Sequence, residues 1–390
     1  MKYLIYIIII CLSIIYGCNS NNYQIPLVNE NNAEIIDCVD LLTKANQESV
    51  LFYDEDIVDS IYVIKLESID EALFGYIHRL QIGDNYIYIL DHNKRVIIFD
   101  LDGKYIKTIF TGNGPGEIYS PDCISYNKYT HEFLIFQFKT VYKYTETGEY
   151  LTAIDIPFYI QDCMPFKNGY IFFQEFSQNK AQKNLFITTD FGFNITNISS
   201  LSKQYPSVYP SFLLNKNNEN IMFSRCCDNN IYFFNDTSFY VKYKLELGEL
   251  ENVVDENEVY YDYKKYSQIK NKYEINGCFA ENDKFQSFVL FRENKPYVFF
   301  RNKHSGKMIV GINNFPLKSS LGFCLICGNP YGTYHNYFIN VLSYENLPYR
   351  PLLDYIIPEN HISQEDVEKI KNLKEDDNPL VILYTLKGLE

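Results

Sequence analysis

The chain contains no tryptophan and only four methionines, and its 35 Lys and Arg are outnumbered by 49 Asp and Glu, a formal charge of −14. A phosphate backbone would be repelled by such a surface, so nucleic acid is not an expected partner. After residue 16 no apolar run is long enough to span a bilayer. No Gly-x-Ser-x-Gly nucleophile elbow and no His-x-His or His-Glu-x-x-His pair is present, so the usual local signatures of a serine hydrolase or a zinc protease are missing. What is abundant is ring: 36 Tyr and 29 Phe in 390 residues, with 46% apolar residues overall. That is enough to build a large, β-leaning core and excludes a disordered chain.

The N-terminus reads as an address. Met1-Lys2 is a short basic start, and residues 3–16 are apolar apart from Ser13, about the length of a secretory h-region and short of the ~20 residues a membrane helix needs. The run ends in Ile15-Tyr16-Gly17-Cys18, which resembles a bacterial lipobox. The resemblance implies residues 1–17 as signal peptide, cleavage before Cys18, lipid on Cys18, and a membrane anchor for an envelope protein whose leaflet stays open. Residues 18–48 follow as an expected flexible tether, polar at 19–22 and 29–34.

From residue 49 onward the chain repeats. Residues 86–91, 95–100 and 104–109 read as strand, strand, strand, with Asp102-Gly103 as a tight turn between the last two. The unit recurs with turns at Thr147-Gly148, Phe191-Gly192, Asp236-Thr-Ser238 and Ser305-Gly306, spaced by 45, 44, about 45 and about 69 residues. A beat near 45 with three to four strands per unit predicts propeller blades. Runs such as Ile87-Tyr88-Ile89-Leu90 are apolar on both faces, as strands between stacked sheets must be. Residues 337–342 and 380–384 near the C-terminus and 60–66 near the N-terminus are left over, and joining them makes a sixth blade that closes the ring. The expected fold is therefore all-β: a six-bladed β-propeller over residues 49–390, closed by pairing of N- and C-terminal strands, with two short helical insertions at about 249–275 and 350–377.

Asp91, Phe99-Asp100, Asp102-Gly103-Lys104 and Gly112-Asn113-Gly114-Pro115-Gly116-Glu117 resemble the six-bladed propeller lipoproteins of Bacteroidetes, relatives of NHL-repeat propellers. The likeness covers roughly residues 59–387, with its specific motifs in 86–122. It implies fold and export, and no assigned reaction.

Candidate site residues are few. The Gly112–Glu117 loop has backbone N–H groups of the kind that cradle anions, but lacks a P-loop ending and reads foremost as a connection between blades. Asn113, Glu117 and Asp122 are its candidate ligand contacts. In the first insertion Val259, Tyr263, Tyr266 and Ile269 share a helical face, giving either a rim helix or a tyrosine lid that includes Tyr260. In the second, Ser363 caps a helix with Val367, Ile370 and Leu373 as its apolar stripe. Cys324 and Cys327 have the spacing of a redox or zinc half-site without a matching second pair. The six histidines, at 78, 92, 131, 304, 335 and 361, are scattered. The reading that follows is a monomeric, lipid-anchored, non-catalytic binding or scaffolding module for a glycan, peptide or membrane-protein partner, with no cofactor and no metal ligand set. The alternative is an envelope hydrolase or lyase of the lactonase type, with calcium or zinc in the central channel.

Overall fold

A computed structural model describes residues 26–47, 57–112, 114, 116–176, 183–201, 214–217, 220–225, 228–251, 272–293, 295–312, 330–347 and 361–389. Six sheets stand in it. Blade 1 runs Ile77–Ile82, Tyr86–Asp91, Val96–Asp100 and Tyr105–Ile109 from the axis outward. Blade 2 runs Cys123–Asn127, Glu132–Gln137, Thr140–Thr145 and Tyr150–Asp155, and blade 3 Asp162–Phe166, Gly169–Phe176, Lys183–Thr189 and Ile195–Ser200. Blade 4 is Leu214–Asn217, Asn220–Phe223, Asn230–Phe234 and Phe239–Glu246; blade 5 is Glu274–Glu281, Phe285–Arg292, Lys295–Asn302 and Met308–Ile312. Blade 6 takes Gly332–Tyr334, Tyr337–Leu342 and Leu380–Leu386 from the C-terminal part and Val58–Lys65, its outermost strand, from the N-terminal part. The fold is the six-bladed propeller that the 45-residue beat predicts, with the ring closed as expected.

The core explains why the middle strands are apolar on both faces. Six clusters of buried side chains each draw on two consecutive blades, and the last joins Ile339, Val381 and Leu383 of blade 6 to Leu80, Ile87 and Ile89 of blade 1. A middle strand such as Tyr86–Asp91 is therefore buried nearly throughout, whereas the outermost strand Tyr150–Asp155 is almost wholly exposed. Each buried Phe, Leu or Ile contributes ~1.5–3 kcal/mol. Rings stack across the interfaces: Tyr88 on Phe133 at 4.2 Å, and Phe186 on Phe239 at 3.9 Å.

The beat itself comes from one turn. A polar residue ends the third strand of a blade and caps the hairpin to the fourth. Asp100 Oδ1 accepts the N–H groups of Asp102 and Lys104, and Asn235 Oδ1 those of Thr237 and Ser238. Gly103 supplies φ +85° there, and a Cβ on it would sit 2.2 Å from the Lys65 carbonyl oxygen of the preceding blade. In blade 3 the left-handed residue is Phe193 (φ 63°), one position beyond the expected Gly192. Asp190 holds that turn through the N–H groups of Gly192 and Asn194, and the Phe193 ring stacks on Tyr170 at 4.9 Å, which offsets the strain.

One departure from expectation concerns the N-terminal flank. Residues 26–47, read from sequence as tether, are docked on the ring. Leu27 and Asn29 bridge to Ser200 and Tyr240, and Glu34–Asp37 adds a parallel fifth strand to the outer edge of blade 4. Helix α1, Val39–Gln47, then tucks Leu42 and Ala45 under blades 4 and 5. The added strand covers an edge that would otherwise template aggregation. The second insertion is helical as expected: Ser363 Oγ accepts from Asp366 N at 3.1 Å to open α2, Gln364–Lys371, and Val367, Ile370 and Leu373 are buried against blades 5 and 6. Of the first, residues 252–271 lie outside the described residues, which show only a 3-10 turn at Gly248–Leu250 and a bridge from Glu251 to Tyr273.

Candidate functional site

Cys18, Asn113, Tyr260, Tyr263 and Tyr266 lie outside the described residues, as do Cys324 and Cys327. Glu117 and Asp122, neighbours in sequence, have separate surroundings. Glu117 turns back into its own loop, where its Oε2 accepts from Gly114 N at 2.8 Å. Only glycine fits around it: a Cβ on Gly112 would lie 1.9 Å from that oxygen. The Gly116 carbonyl accepts from Tyr144 Oη at 3.0 Å, so the loop rests beside the outer hairpin of blade 2, on the flank of the ring. Its glycines serve compact packing.

Asp122 stands at the start of blade 2's innermost strand. Its N–H donates to Phe136 O at 2.8 Å, and its Oδ2 accepts from Phe138 N at 2.7 Å. Burial pushes this carboxyl up from the ordinary carboxylate range, while the Phe138 bond and Lys94 pull it back.

Near the axis the described carboxylates are already paired. Arg79 of blade 1 and Asp162 of blade 3 form a buried ion pair past the start of blade 2, with 8% and 4% of their side chains exposed. Asp162 Oδ1 also accepts from Cys163 N at 2.8 Å. In blade 5 Glu281 accepts from Gln286 Nε2 at 2.8 Å and meets Lys303 at 2.9 Å and Lys242 at 3.4 Å. Burial pushes Glu281 up, but these donors outweigh it and its carboxyl lies below the usual range. Among the described residues no group of three or more His, Cys, Asp or Glu is placed to hold a metal. The histidines form no cluster of three: His78 and His92 are neighbours at one end of blade 1, His131 and His335 lie in turns at the other end of blades 2 and 6, His304 in a hairpin of blade 5, and His361 before α2. The Arg79–Asp162 pair therefore closes that part of the channel rather than offering it a ligand.

The feature that sequence reasoning missed lies at the end of blades 1 and 2 where the innermost strands begin. Four rings stand out there: Tyr76 is 71% exposed, Tyr119 68%, Phe138 54% and Tyr159 54%. One hydrogen-bonded frame carries them. The Tyr76 carbonyl accepts from His92 N, the Pro121 carbonyl from Lys94 Nζ, and Tyr119 N donates to Gln137 Oε1. Phe138 sits at φ 54°, an unusual conformation for a bulky residue, held by Asp122 at its N–H and by Ile160 N at its carbonyl. Lys139 lies 4.5 Å over the Tyr159 ring. Phe110, 50% exposed just past the outermost strand of blade 1, lies at the outer edge of the same end, while Tyr62, Ile106, Tyr150 and Leu151 sit within outermost strands. No spacing marks the four: each is a single residue in a turn or connection, brought together by the ring.

Comparison with known proteins agrees on the fold. The crystal structure of a protein from Bacteroides fragilis NCTC 9343, named as exported, superimposes with a TM-score of 0.71 at 15% identity, covering 91% of this chain and 100% of that one. BamB from Moraxella catarrhalis and the Neurospora crassa Pan2 WD40 domain reach only 0.36, at 8% and 9% identity, over 73% and 75% of this chain and 74% and 85% of theirs, too little to carry an argument. No curated protein matches the sequence. A family model described as "Domain of unknown function (DUF4934)" matches residues 36–385, which takes in all six blades and both closing strands, and the chain belongs to that family.

Proposed function

We propose that this protein is a lipid-anchored envelope propeller that binds a glycan without transforming it, through the exposed aromatic end of blades 1 and 2. The carrying observation is Phe138, an exposed ring on a backbone held in a strained turn by two hydrogen bonds, with Tyr76, Tyr119 and Tyr159 exposed at the same end of the ring. Strain of this kind costs about 1–3 kcal/mol and persists where the surrounding structure over-determines it, often at ligand clamps. Rigid aromatic side chains lose little entropy on binding and supply large contact area, which suits the flat faces of sugar rings. The paired Arg79–Asp162 and Lys-bound Glu281 leave the described channel walls without converging acid–base groups, which favours binding over catalysis. Envelope placement is supported by the lipobox-like Ile15–Cys18 and by the exported neighbour of the same fold.

A glycan array probed with the purified chain, followed by calorimetry on the best saccharide, tests this. The double variant Phe138→Ala, Tyr159→Ala is expected to lose roughly tenfold or more in affinity while keeping its unfolding midpoint. Binding unchanged by the double variant, or turnover of the bound saccharide, would contradict the proposal.

A further inference from the structure

Two thiols with no part in the aromatic face meet where blades 2 and 3 join. Cys123 opens the innermost strand of blade 2, Cys163 is the second residue of that of blade 3, and the two strands are neighbours. Both side chains belong to the same apolar cluster, 1% and 0% exposed, and both are free thiols. Cys38, also a free thiol, is elsewhere, with its thiol on the Ile36 carbonyl.

We propose that Cys123 and Cys163 form an oxidisable pair that closes to a disulfide between blades 2 and 3 as the protein folds in an oxidising compartment. The oxidant is a disulfide, on a protein or on glutathione. The thiolate of one cysteine attacks it and releases one thiol; the second cysteine then attacks the mixed disulfide and releases the other. Two cysteine thiols are oxidised to one disulfide and one oxidant disulfide is reduced to two thiols. In the folded chain burial pushes both thiols well above their ordinary value, so little thiolate exists and no reagent reaches it. The exchange therefore belongs before the blades close, and the finished bond is shielded from reductant by the same packing.

The sequence makes this readable, because tryptic peptides 108–128 and 144–167 each contain one cysteine. The full chain, unfolded and reduced, is refolded in oxidised and reduced glutathione, then alkylated and digested. The expected result is a joined 108–128/144–167 species lighter by two hydrogens than its parts, retained in Cys38→Ser and absent in Cys163→Ser. Native, reduced protein held in the same buffer is expected to keep both thiols. Reductant added during unfolding lowers the thermal midpoint of the oxidised wild type but not that of Cys163→Ser, which separates loss of the bond from loss of the fold. Two alkylated cysteines after refolding, or either one joined to a different cysteine, would overturn the proposal. Oxidation of the native reduced chain as fast as of the refolding one would overturn it too.

Discussion

A chain ending at Pro379 is expected not to fold. Residues 380–386 form the strand that lies between Tyr337–Leu342 and Val58–Lys65, so its loss strips both neighbours of their hydrogen-bond partner. It also empties two interfaces at once. Leu380, Ile382, Tyr384 and Leu386 belong to the cluster between blades 5 and 6, and Val381 and Leu383 to that between blades 6 and 1. At ~1.5–3 kcal/mol per buried side chain these six are worth roughly 9–18 kcal/mol, comparable to or more than the whole ~5–15 kcal/mol by which folded domains are stable. The N-terminal strand then has nothing to close on, and α2, whose Lys369 Nζ donates to the Val63 carbonyl at 3.0 Å, loses its bed. Urea unfolding followed by circular dichroism would show no cooperative transition. A sigmoidal transition with the wild-type slope would mean that the ring does not depend on this strand.

The second large effect concerns Asp162. Replacing it with alanine is expected to destabilise the protein by about 3–5 kcal/mol, because the Arg79 guanidinium is left charged and buried. The side-chain exposures of 8% and 4% make water a poor substitute. The loss is larger than that of the carboxylate alone, since Asp162 also accepts from Cys163 N and so fixes the start of blade 3's innermost strand. The double variant Arg79→Met, Asp162→Leu removes both charges together, and its stability is expected within about 1–2 kcal/mol of wild type. Chemical denaturation of the three proteins decides this. A single variant costing less than about 1 kcal/mol would place the pair in solvent and reopen the axis to other chemistry.

How much of this was legible in the sequence follows from where each residue sits. The third and fourth strands repeat clearly because blades 1 to 5 share one hairpin, with Asp100, Thr145, Asp190, Asn235 and Asn302 at its corner. Ring closure was readable because residues 60–66 and 380–384 had no local partner. The innermost strands left no such trace: they are short, and those of blades 1 to 3 carry the buried polar residues Arg79, Asn127 and Asp162, which break the apolar pattern. Residues 26–47 read as tether because Glu34, Ile35 and Asp37 face solvent on an edge strand, and Ile36, Cys38, Leu42 and Ala45 are too sparse a signal without the sheet they cover. Glu117 and Asp122 looked like one site because they share a loop, yet one closes that loop and the other pins Phe138. The four exposed rings come to the same end of the fold only through the frame of turns that carries them.

Hydroxyl-radical footprinting of the intact protein with and without its best array saccharide tests the binding face most directly. The proposed face predicts protection of Tyr76, Tyr119, Phe138 and Tyr159, and unchanged labelling of Tyr62 and Tyr150, which are 51% and 41% exposed on outermost strands and serve as internal controls. Protection of Tyr62 or Tyr150, with the four rings labelled as in the free protein, would contradict it.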